Sequence, residues 1–319
     1  SGKYLFRILN TFKKPHQRYQ KGMNLALNKT QTSKIVTVIQ KLFPLKYADS
    51  KWDNTGLLID CSSLSNKEFP EIKVLLTIDL TQKVCQEAID NECNFVLAYH
   101  PFIFPNWKQI DPTKNPQHLS ALKLIHHGIS VYSPHTSVDA VKNGVNDWLS
   151  NTLVGQNIGS AQQVASSESK VIEAIEEDVG YGRYLDLSKH NLDLQTVIGN
   201  VKKSLKVSHI QVSIPDVLST TKRNEIKINN VALCAGSGSG VFRGLTSQQW
   251  ADVDLLYTGE LSHHEILKYK EMGKIVILCN HSNTERQYLE QVMIHELSKV
   301  DSSIKYHISA FDKDPLETV

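Results

Sequence analysis

Cys279-Asn280-His281-Ser282-Asn283-Thr284-Glu285-Arg286 is the stretch on which the reading of this chain turns. It follows Lys274-Ile275-Val276-Ile277-Leu278, a short apolar run that reads as a buried strand. Ser282 and Asn283 are both good N-cap residues, so a helix starting there turns the chain where His281 ends the strand. His281 and Glu285 then face one point near the end of a sheet. Imidazole with carboxylate is a ligand set for Zn, Mn or Fe.

An earlier stretch repeats the device. Ile129-Ser130-Val131-Tyr132-Ser133-Pro134 leads into His135-Thr136-Ser137-Val138-Asp139, again a strand ending in His with an acid four residues on. Gly128 and Gly273 precede the two strands, each after a helical pattern. One His-x-x-x-acid pair is weak evidence for a metal site; two in matching contexts point to a duplicated α/β unit.

The whole chain sets the bounds. Its 319 residues are 40% hydrophobic and 21% charged, the composition of a soluble globular protein that can bury a core. A net charge of +2 argues against a strong nucleic-acid field, so direct nucleic-acid binding is not expected. No apolar run approaches the roughly 18 residues of a membrane span, so no membrane partner is expected. The five cysteines form no Cys-x-x-Cys pair and mostly sit in or beside apolar runs, as reduced core residues of a cytoplasmic protein do. Before Asp49 there is no acid, while Lys3, Arg7, Lys13, Lys14 and Arg18 recur around Tyr4, Leu5, Ile8, Leu9 and Phe12. That is the profile of a mitochondrial targeting segment, with a plain basic arm or a cloning remnant as the alternatives.

Along the chain, Ser33–Phe43 reads as a helix capped by Thr32 or Ser33. Trp52-Asp53-Asn54-Thr55-Gly56 reads as a structural turn in which Asp and Asn cap backbone N–H groups. A strand at Lys73–Ile78, a helix at Thr81–Asp90 and a strand at Asn94–Phe102 set a βαβ rhythm that implies parallel strands. His100 and His135 then fall at one carboxyl edge, where α/β proteins place function. The Gln-, Ser- and Glu-rich segment 155–180 reads as a surface connection, and 215–229 as a loop. Strands at 231–235 and 254–258 restart the pattern. The first ends in Gly236-Ser237-Gly238-Ser239-Gly240, which either presents N–H groups to a phosphate or is a close-packing turn. The second ends in Gly259-Glu260 with His263 and His264 following.

The expected organisation is a basic arm (1–32), a first α/β lobe (33–155), a connecting and insert region (156–230) and a second α/β lobe (231–319). Two related lobes facing each other place a polar site between them. His100, Asp139, His281 and Glu285 are the expected metal ligands. A bridging Glu285 suits a two-metal hydrolytic site. Glu260, His263 or His264 is the expected proton acceptor or donor, with Glu260 and His264 put forward as the catalytic pair.

Six ordered motifs carry a family resemblance. They are Trp52-Asp53-Asn54-Thr55-Gly56-Leu57-Leu58, Tyr99-His100-Pro101, His135-Thr136-Ser137-Val138-Asp139, Gly236-Ser237-Gly238-Ser239, Thr258-Gly259-Glu260 with His263-His264, and His281-Ser282-Asn283-Thr284-Glu285-Arg286. Together they resemble the Nif-three-like dinuclear metal-centre family, also labelled GTP cyclohydrolase type-two homologue, from about residue 33 to 312. The resemblance implies one fold of two α/β lobes, a ring-shaped homo-oligomer (typically a hexamer), and a two-metal site at the lobe interface held by His100, Asp139, His281 and Glu285. The family's bacterial pattern has two adjacent His where this chain has Tyr99-His100, which resembles the eukaryotic branch. A phenol is a poor ligand at neutral pH, so one or two divalent ions per chain are expected. The eukaryotic branch also implies transcriptional co-regulator partners. Two functions follow as expectations: a metal-dependent hydrolase of a small nucleotide-like or phosphorylated substrate, or a non-enzymatic metal-binding adapter.

Overall fold

A computed structural model describes residues 24–155 and 163–319. The basic arm proposed as a targeting segment lies outside the described residues as far as residue 23. The first helix spans Lys29–Leu42 and starts a turn earlier than the Thr32 or Ser33 cap predicts. Asn28 caps it: its side chain accepts from Gln31 N at 2.9 Å, and the Gln31 side chain accepts in return from Asn28 N. Asn-x-x-Gln is a reciprocal capping box, and it outcompetes the hydroxyl residues downstream.

Among the described residues the strands follow in chain order: β1 (Gly56–Ile59), β2 (Lys73–Thr77), β3 (Phe95–Ala98), β4 (Ser130–Ser133), β5 (Ser169–Glu176), β6 (Val179–Asp186), β7 (Leu192–Asp193), β8 (Gln211–Ser213), β9 (Lys227–Ile228), β10 (Asn230–Ser237), β11 (Leu255–Glu260), β12 (Ile275–Leu278) and β13 (Lys305–Ile308). Two sheets carry the fold, in the orders β1-β4-β3-β2-β13 and β5-β6-β10-β11-β12-β8, and β7 pairs with β9 in a short ribbon. β4, β3, β2 and β13 run parallel, as do β10, β11 and β12. This is the α/β arrangement expected from the βαβ rhythm. β3 is buried along its whole length, because helices cover both faces of the sheet.

Alternation sorts the side chains of the first sheet. Leu75, Val96 and Ala98 pack with Val84, Ala88 and Leu124 of the crossover helices. Val74, Leu76, Phe95 and Leu97 face the other way, into a core shared with Val231, Leu233, Leu255 and Ile275 of the second sheet. Trp148 and Leu149 of helix Val145–Leu153 fill the space between. The two lobes therefore share one hydrophobic core. All five cysteines are free and buried. Among the described residues no helix is long and apolar enough to cross a membrane.

Chain segments and lobes do not coincide. The segment read as a connecting and insert region supplies β5, β6 and β8 to the second sheet, and β13 crosses back to the first. β5 escapes notice because it is an exposed edge strand whose Ser-Lys-Val-Ile-Glu-Ala-Ile-Glu composition looks like a surface linker. Arg183 of β6 is 1% exposed and clamps the lobes together. Its guanidinium reaches Asp147 at 2.7 Å and donates to the carbonyls of Gly180, Gly182, Ala140 and Val141.

Candidate metal centre

The carboxyl ends of the parallel strands converge from both sheets. β2 delivers Asp79, β3 His100, β4 His135, β10 the turn at Gly236, β11 Glu260 and β12 His281. Asn280 adopts φ 70°, a left-handed conformation that Asn tolerates, and so swings His281 out of the strand direction. A single turn, Ser282–Thr284, then brings back Glu285.

Glu285 sits at the centre and is 2% exposed. Its Oε2 lies 3.1 Å from His100 Nε2, and its Oε1 lies 3.4 Å from His281 Nε2. Each imidazole has a carboxylate behind it: His100 Nδ1 is 2.8 Å from Asp79 Oδ1, and His281 Nδ1 is 2.8 Å from Glu260 Oε1. Such partners hold the proton on Nδ1 and aim the Nε2 lone pair inward, the arrangement of a carboxylate–histidine–metal unit. His100 Nε2 and Glu285 Oε2 are buried and face each other at 3.1 Å, yet the contact lacks hydrogen-bond geometry and neither atom has another partner. Orphaned buried donors and acceptors need an explanation, and a cation shared by these atoms supplies one. Ligand atoms of His100, His281 and Glu285 lie within 4.8 Å of one another. Two imidazoles and a carboxylate fit a borderline divalent ion such as Zn, Mn or Fe.

The electrostatics of the bare site agree. Burial pushes the Glu285 carboxyl up, but His100 and His281 hold it well below the usual carboxylate range. Burial opposes charge on the imidazoles, yet Glu285 and Asp79 raise His100 well above its ordinary value, and Glu285 and Glu260 raise His281 to about 9. The cluster demands positive charge at its centre.

Asp139 is placed differently from the expected ligand set. It stands outside the group formed by His100, His281 and Glu285. One of its oxygens accepts from the Tyr99 hydroxyl. Burial raises Asp139 to about 6. Burial, with Asp139 and Glu285, pushes the Tyr99 phenol well above its usual value, so it remains a donor. His135 lines the same cavity, with Nδ1 2.9 Å from Asp53 Oδ1. Its φ of 29° is strained for a non-glycine residue, and its N–H donates to Tyr99 O. Of the proposed proton carriers, Glu260 is engaged with His281. His264 lies exposed on helix His263–Glu271 and does not line the cavity.

Several supporting residues escaped the sequence reading. Asp53 holds His135 and also accepts from Thr136 N at 3.3 Å and Thr136 Oγ1 at 2.6 Å at the start of that helix, so the Trp52–Gly56 turn supports the site from a distance. Asn146 donates to Asp139 O and accepts from Ala235 N, stapling one lobe to the other. Asp79 had a usable signal: it stands 21 residues before His100, as Glu260, expected to carry a proton, stands 21 before His281. That is one strand-helix-strand unit, so the duplication pairs His100 with His281. It does not pair His135 with His281, as the matching His-x-x-x-acid stretches suggest.

The glycine turn is a packing device. Gly236 has φ +72°, and an added Cβ would lie 2.9 Å from both Glu285 Oε1 and His281 Nε2. At Gly259 a Cβ would meet Gly236 O at 2.6 Å and His281 Cα at 2.7 Å. We expect Gly236→Ala to cost about 1 kcal/mol of stability from backbone strain, while metal affinity, read by competition with a chromogenic chelator, falls far more. Unchanged affinity would show that the turn does not shape the site. For Glu260→Gln and Asp79→Asn the same titration should show affinity falling by about 10- to 100-fold each, with the fold retained.

The fold and site define a class: a two-sheet α/β protein with a candidate divalent-metal centre where the strand ends of its two lobes meet. A profile of the Duf34/NIF3 family (NGG1p interacting factor 3) matches residues 30–315. The chain is 48% identical over 298 residues to NGG1-interacting factor 3 of Saccharomyces cerevisiae, covering 92% of this chain and 99% of that protein. It is 41% identical over 298 residues to the NIF3 homologue of Schizosaccharomyces pombe, covering 90% and 98%. Its fold is similar to the crystal structure of a Bacillus cereus protein related to NIF3, with a TM-score of 0.70 at 19% identity, covering 90% and 98%. The chain belongs to the Duf34/NIF3 family.

Proposed function

We propose that this chain is a metal-dependent hydrolase acting on a small, nucleotide-like or phosphorylated substrate. One observation carries the reading: the orphaned Glu285 and His100 atoms line a cavity of about 790 Å³ between the lobes. That volume suits a small molecule. His100, His281 and Glu285 hold the ion, while Asp79 and Glu260 fix the ring tautomers. A bound divalent ion supplies Lewis acidity and a more acidic water. The cavity walls position the substrate, and Tyr99 keeps Asp139 turned toward itself. We read this pairing as favouring one ion over two.

The test is a panel of nucleosides, nucleotides and phosphomonoesters offered to the chain loaded with Zn, Mn or Fe. Product that disappears in His281→Ala, with the unfolding midpoint retained, supports the hydrolase. A fully loaded chain that turns over nothing on the panel overturns it.

A second reading has its own support. The yeast relative is named for interaction with NGG1, which favours a metal-binding adapter for transcriptional co-regulators. Under that reading, loss of metal breaks partner binding or assembly and no turnover is found. A homo-oligomer, with the hexamer as its expected size, belongs to both readings and is measured by light scattering. A cytoplasmic or mitochondrial location is equally part of the proposal, and import of the full chain into isolated mitochondria tests it.

A further inference from the structure

The metal site occupies only part of its cavity. From His281 a row of rings leads away across the first lobe: His100 at 5.2 Å between centroids, then His135 at 5.5 Å, Trp52 at 5.7 Å and Phe104 at 6.2 Å. Trp52 is 54% exposed and Phe104 44% exposed, although both line the cavity. Large exposed aromatics are the informative exception on a protein surface. They stand edge-to-face at 84°, so they present two perpendicular surfaces.

Two carboxylates line the same cavity. Asp49 comes from the turn before Trp52, and Glu173 comes from β5. Partial burial and the Asp49 charge both raise Glu173, so the two groups feel each other across the lobe junction. Among the described residues neither forms an ion pair with a Lys or Arg, so both carboxylates face the cavity with their charge unmatched by a neighbouring cation. Independently, Glu285 lines the cavity, is 2% exposed and leaves Oε2 without a hydrogen-bond partner. The cavity is thus built for a ligand at its metal end and lined by aromatic faces and anionic groups beyond it.

Aromatic faces beside unpaired carboxylates recognise cations. We propose that the cavity takes a planar, positively charged nitrogen heterocycle, packed against Trp52 and Phe104 and balanced by Asp49 and Glu173. This names the ring end of the substrate. It rests on the reading of the cavity as the substrate site, but not on hydrolysis taking place there.

Three probes of one ring size and different charge test it: 1-methylnicotinamide (cation), nicotinamide (neutral) and nicotinate (anion), titrated by calorimetry into the full metal-loaded chain. The cation should bind about tenfold tighter than the neutral ring, and the anion most weakly. Trp52→Leu should remove binding of the cation. The double variant Asp49→Asn with Glu173→Gln should bind the cation and the neutral ring alike. Equal or inverted order in the wild-type chain, no saturable binding of the cation, or binding untouched by Trp52→Leu would each overturn the proposal. Binding in the expected order without turnover of any panel substrate keeps this inference and removes the hydrolase reading. Turnover with no charge order does the reverse.

Discussion

Glu285→Ala should purify without stoichiometric divalent metal, and its unfolding midpoint should no longer respond to chelator. Glu285 is the one residue whose two oxygens face both imidazoles, at 3.1 and 3.4 Å. Without it, His100 and His281 remain as two imidazoles with no carboxylate between them, a much poorer set for a divalent ion. In the wild-type chain a ligand that binds only the folded state adds stability by mass action, about 4 kcal/mol when free metal is a thousandfold above the dissociation constant. Chelator should strip that increment from the wild type and leave the variant unmoved. Elemental analysis with paired melting curves, with and without chelator, reads both effects. Metal content equal to wild type would remove Glu285 from the site.

Arg183→Met should lower stability by about 2 kcal/mol or more, because it leaves buried carbonyls without their donor; Asp147, 26% exposed, loses its cation at smaller cost. Arg183 is 1% exposed, and its loss strands the carbonyl of Ala140, which directly follows Asp139, while Val141 O keeps the Gly144 N–H. Arg183→Lys should recover only part of this, since an ammonium cannot reproduce the planar fork that serves Asp147 and four carbonyls. Urea denaturation of the chelated chains isolates the term from metal binding. A loss under about 1 kcal/mol would place Arg183 among ordinary surface residues.

Much of the centre is legible in one dimension. His281-x-x-x-Glu285 follows a buried strand, and the turn Ser282–Thr284 folds the two back together. His100 is legible because a β run ends two residues before it. What the sequence conceals is where the second nitrogen of each ring goes. Asp79 looks like an ordinary residue at a strand end, and Glu260 like a proton carrier, until the 21-residue offset is set beside the parallel pairing of β2 with β3 and β11 with β12. Asp139 has a different setting. Its local pattern copies that of Glu285, but its partner, Tyr99, is 40 residues away and comes from a different strand. Local period reveals strands and helices; it is silent on which loop end receives which side chain. The edge strand β5 was concealed by its polar composition, and Arg183 by its charge, because a buried arginine is uncommon.

One carboxylate described by none of the motifs has a consequence for biosynthesis. Asp312 accepts from the backbone N–H groups of Ile78 and Asp79, and its Oδ2 lies 3.2 Å from Arg286 Nε, beside Glu285. It follows β13, which adds to the first sheet next to β2. Chains emerge from the ribosome N-terminus first. A nascent chain that has completed Glu285 therefore carries His100, His281 and Glu285, but not Asp312, which clasps Ile78, 234 residues before it, to the Arg286 turn. On the metal-centre reading proposed above, we expect a chain that lacks the Asp312 carboxylate to hold the ion less firmly than the full chain.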